Sequence, residues 1–164
     1  MEYAEGRIEF IQAWGALGSK WGINRTMAQI HAVLLISPIA MSAEDIMGAL
    51  KASRGNVNMN VRELITWGIV KKEYVAGERK EFFKAEKDIW LVMKLIAKER
   101  RRRELDPMMQ VLDNLSKVEG DKTNKDYQEF TTVVSDLNKY TNMTDKLLDK
   151  VIKAEESWFL GPLF

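Results

Sequence analysis

From Asp126 onward the chain carries Phe130, Val133, Val134, Leu137, Tyr140, Met143, Leu147, Leu148, Val151, Ile152 and Trp158, with no glycine or proline before Gly161-Pro162. Apolar residues three and four apart over roughly 30 positions make a helical repeat. Such a helix is too long to bury itself inside a small head domain, and an amphipathic arm of this kind packs on a partner helix. The apolar tail, Phe159–Phe164, is expected to tuck against that partner, because a contiguous apolar patch is a liability in water. A chain of 164 residues therefore reads as one domain plus an oligomerisation arm.

The residues before the arm change period twice. Ile8, Ile11, Trp14 and Leu17, with Phe10 and Ala13 beside them, predict an amphipathic helix over Glu5–Leu17 that Gly18 and Gly22 end. Asn24 is an N-cap for a second helix with Met27, Ile30, His31, Leu34 and Leu35 inward, stopped at Ser37-Pro38. Ser42-Ala-Glu-Asp45 is a weak form of the capping box and opens a third helix through Ile46, Met47 and Leu50. Lys51 and Ala52 then lead to Ser53, the cap of a fourth. Two helices joined by a tight turn are the helix-turn-helix arrangement.

The fourth helix, SRGNVNMNVRELITW (Ser53–Trp67), has an unusual outer face. At about 100° per residue, Val57, Val61, Leu64 and Ile65 share one side. Gly55, Met59, Arg62 and Thr66 lie opposite, with Asn56 and Asn58 on the flanks. A buried helix does not need three asparagines and two arginines on its outer face, and Asn is a poor helix former. Asn and Arg are the side chains that pair bidentately with adenine and guanine edges, and an outward Met59 could touch a thymine methyl. The competing reading is a solvated face of odd composition.

After Gly68 the period becomes alternating. Ile69, Val70, Tyr74 and Val75 read as one strand and Glu81–Lys84 as its partner, with Tyr74, Phe82 and Phe83 pairing across. Ala76–Lys80 is the hairpin tip, with Gly77 available for a positive φ. A ribbon directly after a helix-turn-helix is the layout of a winged helix. Arg79 and Lys80 at its tip are placed for a phosphate or a narrow minor groove, although basic tips also serve solubility. Asp88 caps a further helix that ends in Lys98–Glu104, and Asp106-Pro107 predicts a kink or restart followed by helix to about Val118. Four consecutive arginines, Arg100–Arg103, sweep about 300° of a helix. They cannot share one partner, and phosphate, acidic residues of the C-terminal helix and solvent are all open to them.

Charge is segregated along the chain. Residues 51–103 hold fifteen Lys/Arg against seven Asp/Glu, whereas residues 1–50 hold three against five and residues 104–164 seven against twelve. A basic middle between acidic ends suggests a polyanion docking on one segment. With no cysteine and one histidine, thiolate chemistry and multi-histidine metal sites are excluded. No catalytic triad, phosphate-cradling loop or metal-ligand spacing is present, so the expectation is a non-enzyme without cofactor. His31, among Ile30, Ala32 and Leu34, reads as a core or interface histidine, with a pH switch as the alternative. The opening residues lack a secretory pattern and the longest apolar run, Ala32–Ile36, is too short for a bilayer, so the expected place is the cytoplasm, with no membrane partner.

Three segments carry a resemblance: SRGNVNMNVRELITWGIVKK (Ser53–Lys72), GERKEFFKAEKDIW (Gly77–Trp90) and ERRRRELDP (Glu99–Pro107), with a weaker likeness from Gly15 to Ser37. They resemble MarR-type winged-helix regulators, and more closely the GbsR branch. The resemblance implies a mainly α fold with a small β-ribbon: an N-terminal dimerisation helix (residues 1–22), a winged helix-turn-helix head (23–88) and a long helical dimerisation arm (89–164). It implies a homodimer bound to double-stranded DNA. Arg54, Asn56, Asn58, Met59 and Arg62 would face bases, Lys51 and Ser53 the backbone, and Arg79 and Lys80 would form the wing contact. Arg25 and Thr26 would touch phosphate at a helix N-terminus. Some members of that branch sense choline or related osmolytes. A quaternary ammonium effector wants an aromatic cage, for which Trp14, Trp21, Trp67, Trp90 and Trp158 are available. The rival reading is a winged helix serving as a protein–protein module, against which the basic middle argues.

Overall fold

In the computed structural model, residues 1–20 and 22–154 are described, and they fall into two compact units that divide at Val92/Met93. The expectations for Trp21, Trp158 and the Phe159–Phe164 tail lie outside the described residues. The first unit contains α1 (Tyr3–Lys20), α2 (Arg25–Ile36), β1 (Met41–Ser42), α3 (Ala43–Leu50), α4 (Arg54–Thr66), β2 (Val70–Glu73) and β3 (Phe82–Ala85). α5 (Ile89–Arg100) begins there and leads into a π-helical turn (Arg101–Leu105), α6 (Asp106–Leu115) and α7 (Lys125–Lys153). The architecture is mainly helical with a small antiparallel sheet.

α1 runs through Gly18, one of the two glycines expected to end it, as it does through Gly15. Their reason is packing: a Cβ on Gly18 would stand 2.6 Å from the Ala28 Cβ of α2, and one on Gly15 would stand 2.6 Å from the Gln29 Cγ. The turn falls at Gly22, the other expected stop, where φ is positive. α2 starts as expected, with the Asn24 side chain accepting from the N–H groups of Thr26 and Met27. Its C-terminal carbonyls are met by Lys87, whose ammonium donates to Leu34 O at 2.9 Å, Leu35 O at 2.5 Å and Ser37 O at 2.7 Å. A cation on the last turn also suits the helix dipole. Between the helices, Ile30, Val33, Leu34, Ile46, Val57, Val61, Leu64, Ile69 and Val70 are fully buried and form the core of this unit.

The sheet differs from the expected ribbon. It has three strands in the order β1-β3-β2, because Met41 and Ser42 pair with Phe83 and Phe82. β2 ends at Glu73, so Val75 lies outside it and Tyr74 is 97% exposed, with no place in the cross-strand register. The facing pairs are Lys72 with Phe83 and Glu73 with Phe82. Phe83 is buried between its neighbours; Lys71–Glu86 and Lys84–Glu73 ion pairs tie the outer side, and a Lys72–Glu81 pair lies at the exposed end of the Phe83 side. A helix pair followed by this hairpin is a winged helix-turn-helix.

In the second unit the expected restart occurs at Asp106-Pro107, one π-turn after α5 ends. A π-turn is common where the regular ladder is interrupted, and proline at the next helix start lacks the N–H that the interruption would leave idle. α6 buries Leu112, and α7 spans 29 residues with an Asn124 cap. Of α7's apolar stripe, Val134 is buried, but Phe130, Val133, Leu137, Tyr140, Met143 and Leu147 are exposed, as are Met108 and Val111 on α6. No helix of the described residues is long and apolar enough to cross a membrane.

Candidate nucleic-acid interface

The candidate surface is built by one turn. Ser42 and Asp45 form a reciprocal capping box at the start of α3: the Ser42 hydroxyl accepts from the Asp45 N–H while the Asp45 carboxylate accepts from the Ser42 N–H. The Ser42 hydroxyl, which also donates to Asp45 Oδ2 at 2.7 Å, and then the Ser42 N–H hold the Asp45 carboxyl below its usual range, with a further contribution from the charge of Lys80. α3 ends at Lys51, a non-glycine residue in the left-handed region at φ 53°. Lys51 therefore serves the chain reversal with its backbone and keeps its side chain in water. Two residues on, the Ser53 hydroxyl accepts from the Asn56 N–H and starts α4.

α4 is fixed at its far end as well. Gly68 at φ 79° donates to Ile65 O at 2.9 Å, and the Ile69 N–H donates to Leu64 O at 3.2 Å. This pair of bonds is the Schellman closure that a positive-φ glycine permits. With Val57, Val61 and Leu64 locked into the core, the rotation of α4 is set, and so is what faces out.

Outward are Arg54, Asn58, Met59, Arg62 and Thr66, all exposed; Met59 is 61% exposed despite being apolar. Asn56 is half-buried because it has a second task. The side chain of Asn60, only 3% exposed, donates from Nδ2 to Asn56 O at 2.8 Å and to Asn56 Oδ1 at 2.6 Å. Asn60 is thus an interior residue and not part of the outer face, a correction to the three-asparagine reading. Its place on the wheel, at the edge of the apolar stripe, was the signal. Asn56 keeps its amide N–H₂ for an outside partner while Asn60 holds the oxygen side.

At the hairpin tip Arg79 and Lys80 are exposed, and the Lys80 ammonium sits 5.5 Å from the Phe82 ring centroid. Gly77 supplies the positive φ (84°) that the turn requires. Arg25 and Thr26 stand differently. Arg25 is exposed but donates to Gln12 Oε1 of α1 at 3.0 Å, and the Thr26 N–H is already taken by Asn24 Oδ1 at 2.8 Å. An anion arriving there would have to displace both.

The basic segment is largely spent within the chain. Arg54 pairs with Glu44, three lysines tie the hairpin, and the arginine run is internal to the second unit. There Arg100 pairs with Glu104, Arg101 with Asp145 at 2.6 Å and Asp149 at 3.4 Å, and both Arg102 and Arg103 with the buried Glu99. Among the described residues Lys51, Arg62 and Arg79 have no carboxylate partner. An outward face with amide donors, an apolar tip and uncommitted guanidinium groups is chemically able to read base edges and bind phosphate.

The interior nearby carries a buried histidine. Trp14 Nε1 donates to His31 Nδ1 at 3.3 Å, and Phe10 stacks on Trp14 at 5.7 Å. His31 Nε2 has no hydrogen-bond partner. Burial first, and the Lys87 charge second, hold the imidazole down at about 4. His31 is therefore a neutral core residue at physiological pH, and its packing ties α1 to α2.

Fold and face define a winged helix-turn-helix with an exposed second helix, and known proteins bear on it as follows. The chain is 31% identical over 78 residues, 47% of its length, to the HTH-type transcriptional regulator MmpR5 of Mycobacterium tuberculosis. It spans about half (47%) of that relative's length. It also superposes on a crystal structure described as that of a transcriptional regulator with a TM-score of 0.67, covering 90% of this chain and 95% of the other at 19% identity. That likeness shows the shared fold. No family model matches the chain.

Proposed function

We propose that the chain is a sequence-specific, double-stranded DNA-binding transcriptional regulator that acts as a homodimer in the cytoplasm. In this reading α4 lies in the major groove and the wing, residues 76–80, follows the flanking backbone or minor groove. Arg54, Asn56, Asn58, Met59 and Arg62 read bases; Lys51, Ser53, Arg79 and Lys80 bind the backbone, with Arg25 and Thr26 at the margin. The observation that carries it is the outward face of α4: a helix locked by its apolar side, presenting Asn58, Met59 and Arg62 beside a cationic hairpin. The regulators it resembles in sequence and in fold support the same reading.

The homodimer rests on α7. Phe130, Val133, Leu137, Tyr140, Met143 and Leu147 are exposed at the three- and four-residue spacing of a coiled-coil seam, and an apolar stripe of that length is stable in water when a second helix covers it. Sedimentation at micromolar concentration is expected to give a dimer; a monomer would remove this part of the reading. A small-molecule effector modulates binding, and the likeness to the GbsR branch points to a quaternary ammonium osmolyte. Choline added to the protein–duplex complex is then expected to change the affinity, and an unchanged affinity at saturating choline would exclude that ligand.

The decisive test is retention on duplex DNA as salt is raised. Neutralised phosphates release counterions, so affinity falls with a log–log slope of about −0.9 per contact. Retention at low salt that disappears near about 0.5 M supports DNA. No retention at any salt would favour a protein–protein module instead.

A further inference from the structure

Glu44 lies in the first turn of α3, and Arg54 is the first residue of α4, across the tight turn. Arg54 Nη2 donates to Glu44 Oε1 at 2.8 Å, and the two side chains remain 62% and 48% exposed. Among the described residues Arg54 makes no other side-chain hydrogen bond. The carboxylate holds one terminal nitrogen of the guanidinium, and the rest of the fork has no side-chain hydrogen bond among the described residues. Glu44 is charged well into acid, because its own backbone N–H and the Arg54 guanidinium both favour the ionised form.

Two consequences follow from this pairing. The first residues of a recognition helix are those that reach base edges, and an arginine reads guanine only when its planar fork is correctly aimed. A carboxylate bonded to one nitrogen restricts that plane before any partner arrives, as charge-assisted pairs do. The second consequence is electrostatic. A paired Arg54 adds no net positive charge, and the Glu44 carboxylate repels phosphate. On a random duplex an unpaired arginine would slide to the nearest phosphate; a paired one resists that exchange.

Resting on the DNA-binding reading above, we propose that Glu44 is a positioning and selectivity residue. It aims Arg54 at a base edge and suppresses non-specific phosphate binding, so that it raises discrimination while lowering affinity for DNA in general.

The test uses the full chain, a duplex selected by the wild type from a randomised library, and a random duplex of equal length. Glu44→Ala releases Arg54 to phosphate. Affinity for the random duplex is expected to rise about eightfold at about 0.1 M salt, with the log–log slope steeper by about 0.9, both from one added phosphate contact. The ratio of selected to random affinity falls, and a library selection with the variant loses preference at the base that Arg54→Ala also leaves undetermined. Glu44→Gln keeps an oxygen for the guanidinium but not the charge, so it raises random-duplex affinity while retaining that base preference. In an Arg54→Ala background, Glu44→Ala leaves the selected sequence unchanged. A Glu44→Ala protein with lower thermal stability but the same affinity ratio, slope and selected sequence would reduce the pair to a tie between helices and overturn the inference. A wild type that selects no sequence at all would instead overturn the DNA-binding reading on which it rests.

Discussion

The two arginine-bearing regions of this molecule behave oppositely. Arg100–Arg103 is the most conspicuous charge run in the chain, yet its members pair with Glu99, Glu104, Asp145 and Asp149 of their own unit. Arg62 stands between Val61 and Glu63 and Arg79 between Glu78 and Lys80, outside any arginine run, and neither has a carboxylate partner among the described residues. Density of charge along a chain therefore says little about charge left over for a partner. What decides is whether a carboxylate stands within reach. Arg101 finds Asp145, which is 44 positions away; the resulting hydrogen bonds push its guanidinium above its ordinary value. On the outer side of α4 Arg54 has such a partner in Glu44, whereas Arg62 has none among the described residues.

That contrast can be broken or sharpened by experiment, and the largest effect expected is one of pH. Arginine keeps its charge throughout the accessible range, so acid cannot discharge either region, and any loss of binding must come through the fold. His31 is held at about 4 against 6.5 when unperturbed. Its folded value lies below its unfolded one, so the stabilisation is complete above pH 6.5 and is lost as pH falls toward 4. The whole difference corresponds to about 3 kcal/mol. Denaturant unfolding at pH 7.5 and pH 5 is expected to show most of that fall, and His31→Gln to flatten it. An equal pH slope in the variant would place the acid sensitivity elsewhere.

Next in size is Arg62→Ala, expected to cost roughly 1–3 kcal/mol on a selected duplex and to relax the base preference. An unchanged affinity and footprint would take Arg62 off the reading face. Arg79→Ala is expected to weaken selected and random duplexes alike, as a phosphate contact does. A loss confined to the selected sequence would mean that the wing reads bases or groove shape. Smallest of all, Arg102→Gln removes one of Glu99's two partners and is expected to leave duplex affinity unchanged while lowering the melting temperature slightly. A clear loss of duplex affinity would show that the run does serve a polyanion after all.

Much of the head was legible in the order of its residues. The caps at Asn24, Ser42 and Ser53, the stop at Gly68 and the apolar stripe of α4 all follow from local rules, and local rules suffice where neighbours in sequence make the contact. Most departures share one cause, which is contact between residues distant in sequence; Asn60, bonded one turn back to Asn56, is the exception. Gly18 looks like a helix stop until α2 packs against it. Met41–Ser42 is too short to read as a strand before β3 lies beside it. Tyr74 fits an alternating pattern, but the register ends at Glu73 and leaves it in water. Asn60 sits at the edge of the apolar stripe, and only its two bonds to Asn56 decide that it turns inward. The candidate face was legible in its exposed members, whereas Glu44, the partner of Arg54, was not, because a carboxylate ten positions upstream acquires meaning only once the turn is closed.

The central claim is that α4 and the wing, and not the arginine run, meet DNA. Amide hydrogen exchange with and without a duplex tests it most directly. The account predicts added protection over Arg54–Thr66 and residues 76–81, with residues 98–105 unchanged. Protection gained at residues 98–105 while α4 exchanges as before would contradict it.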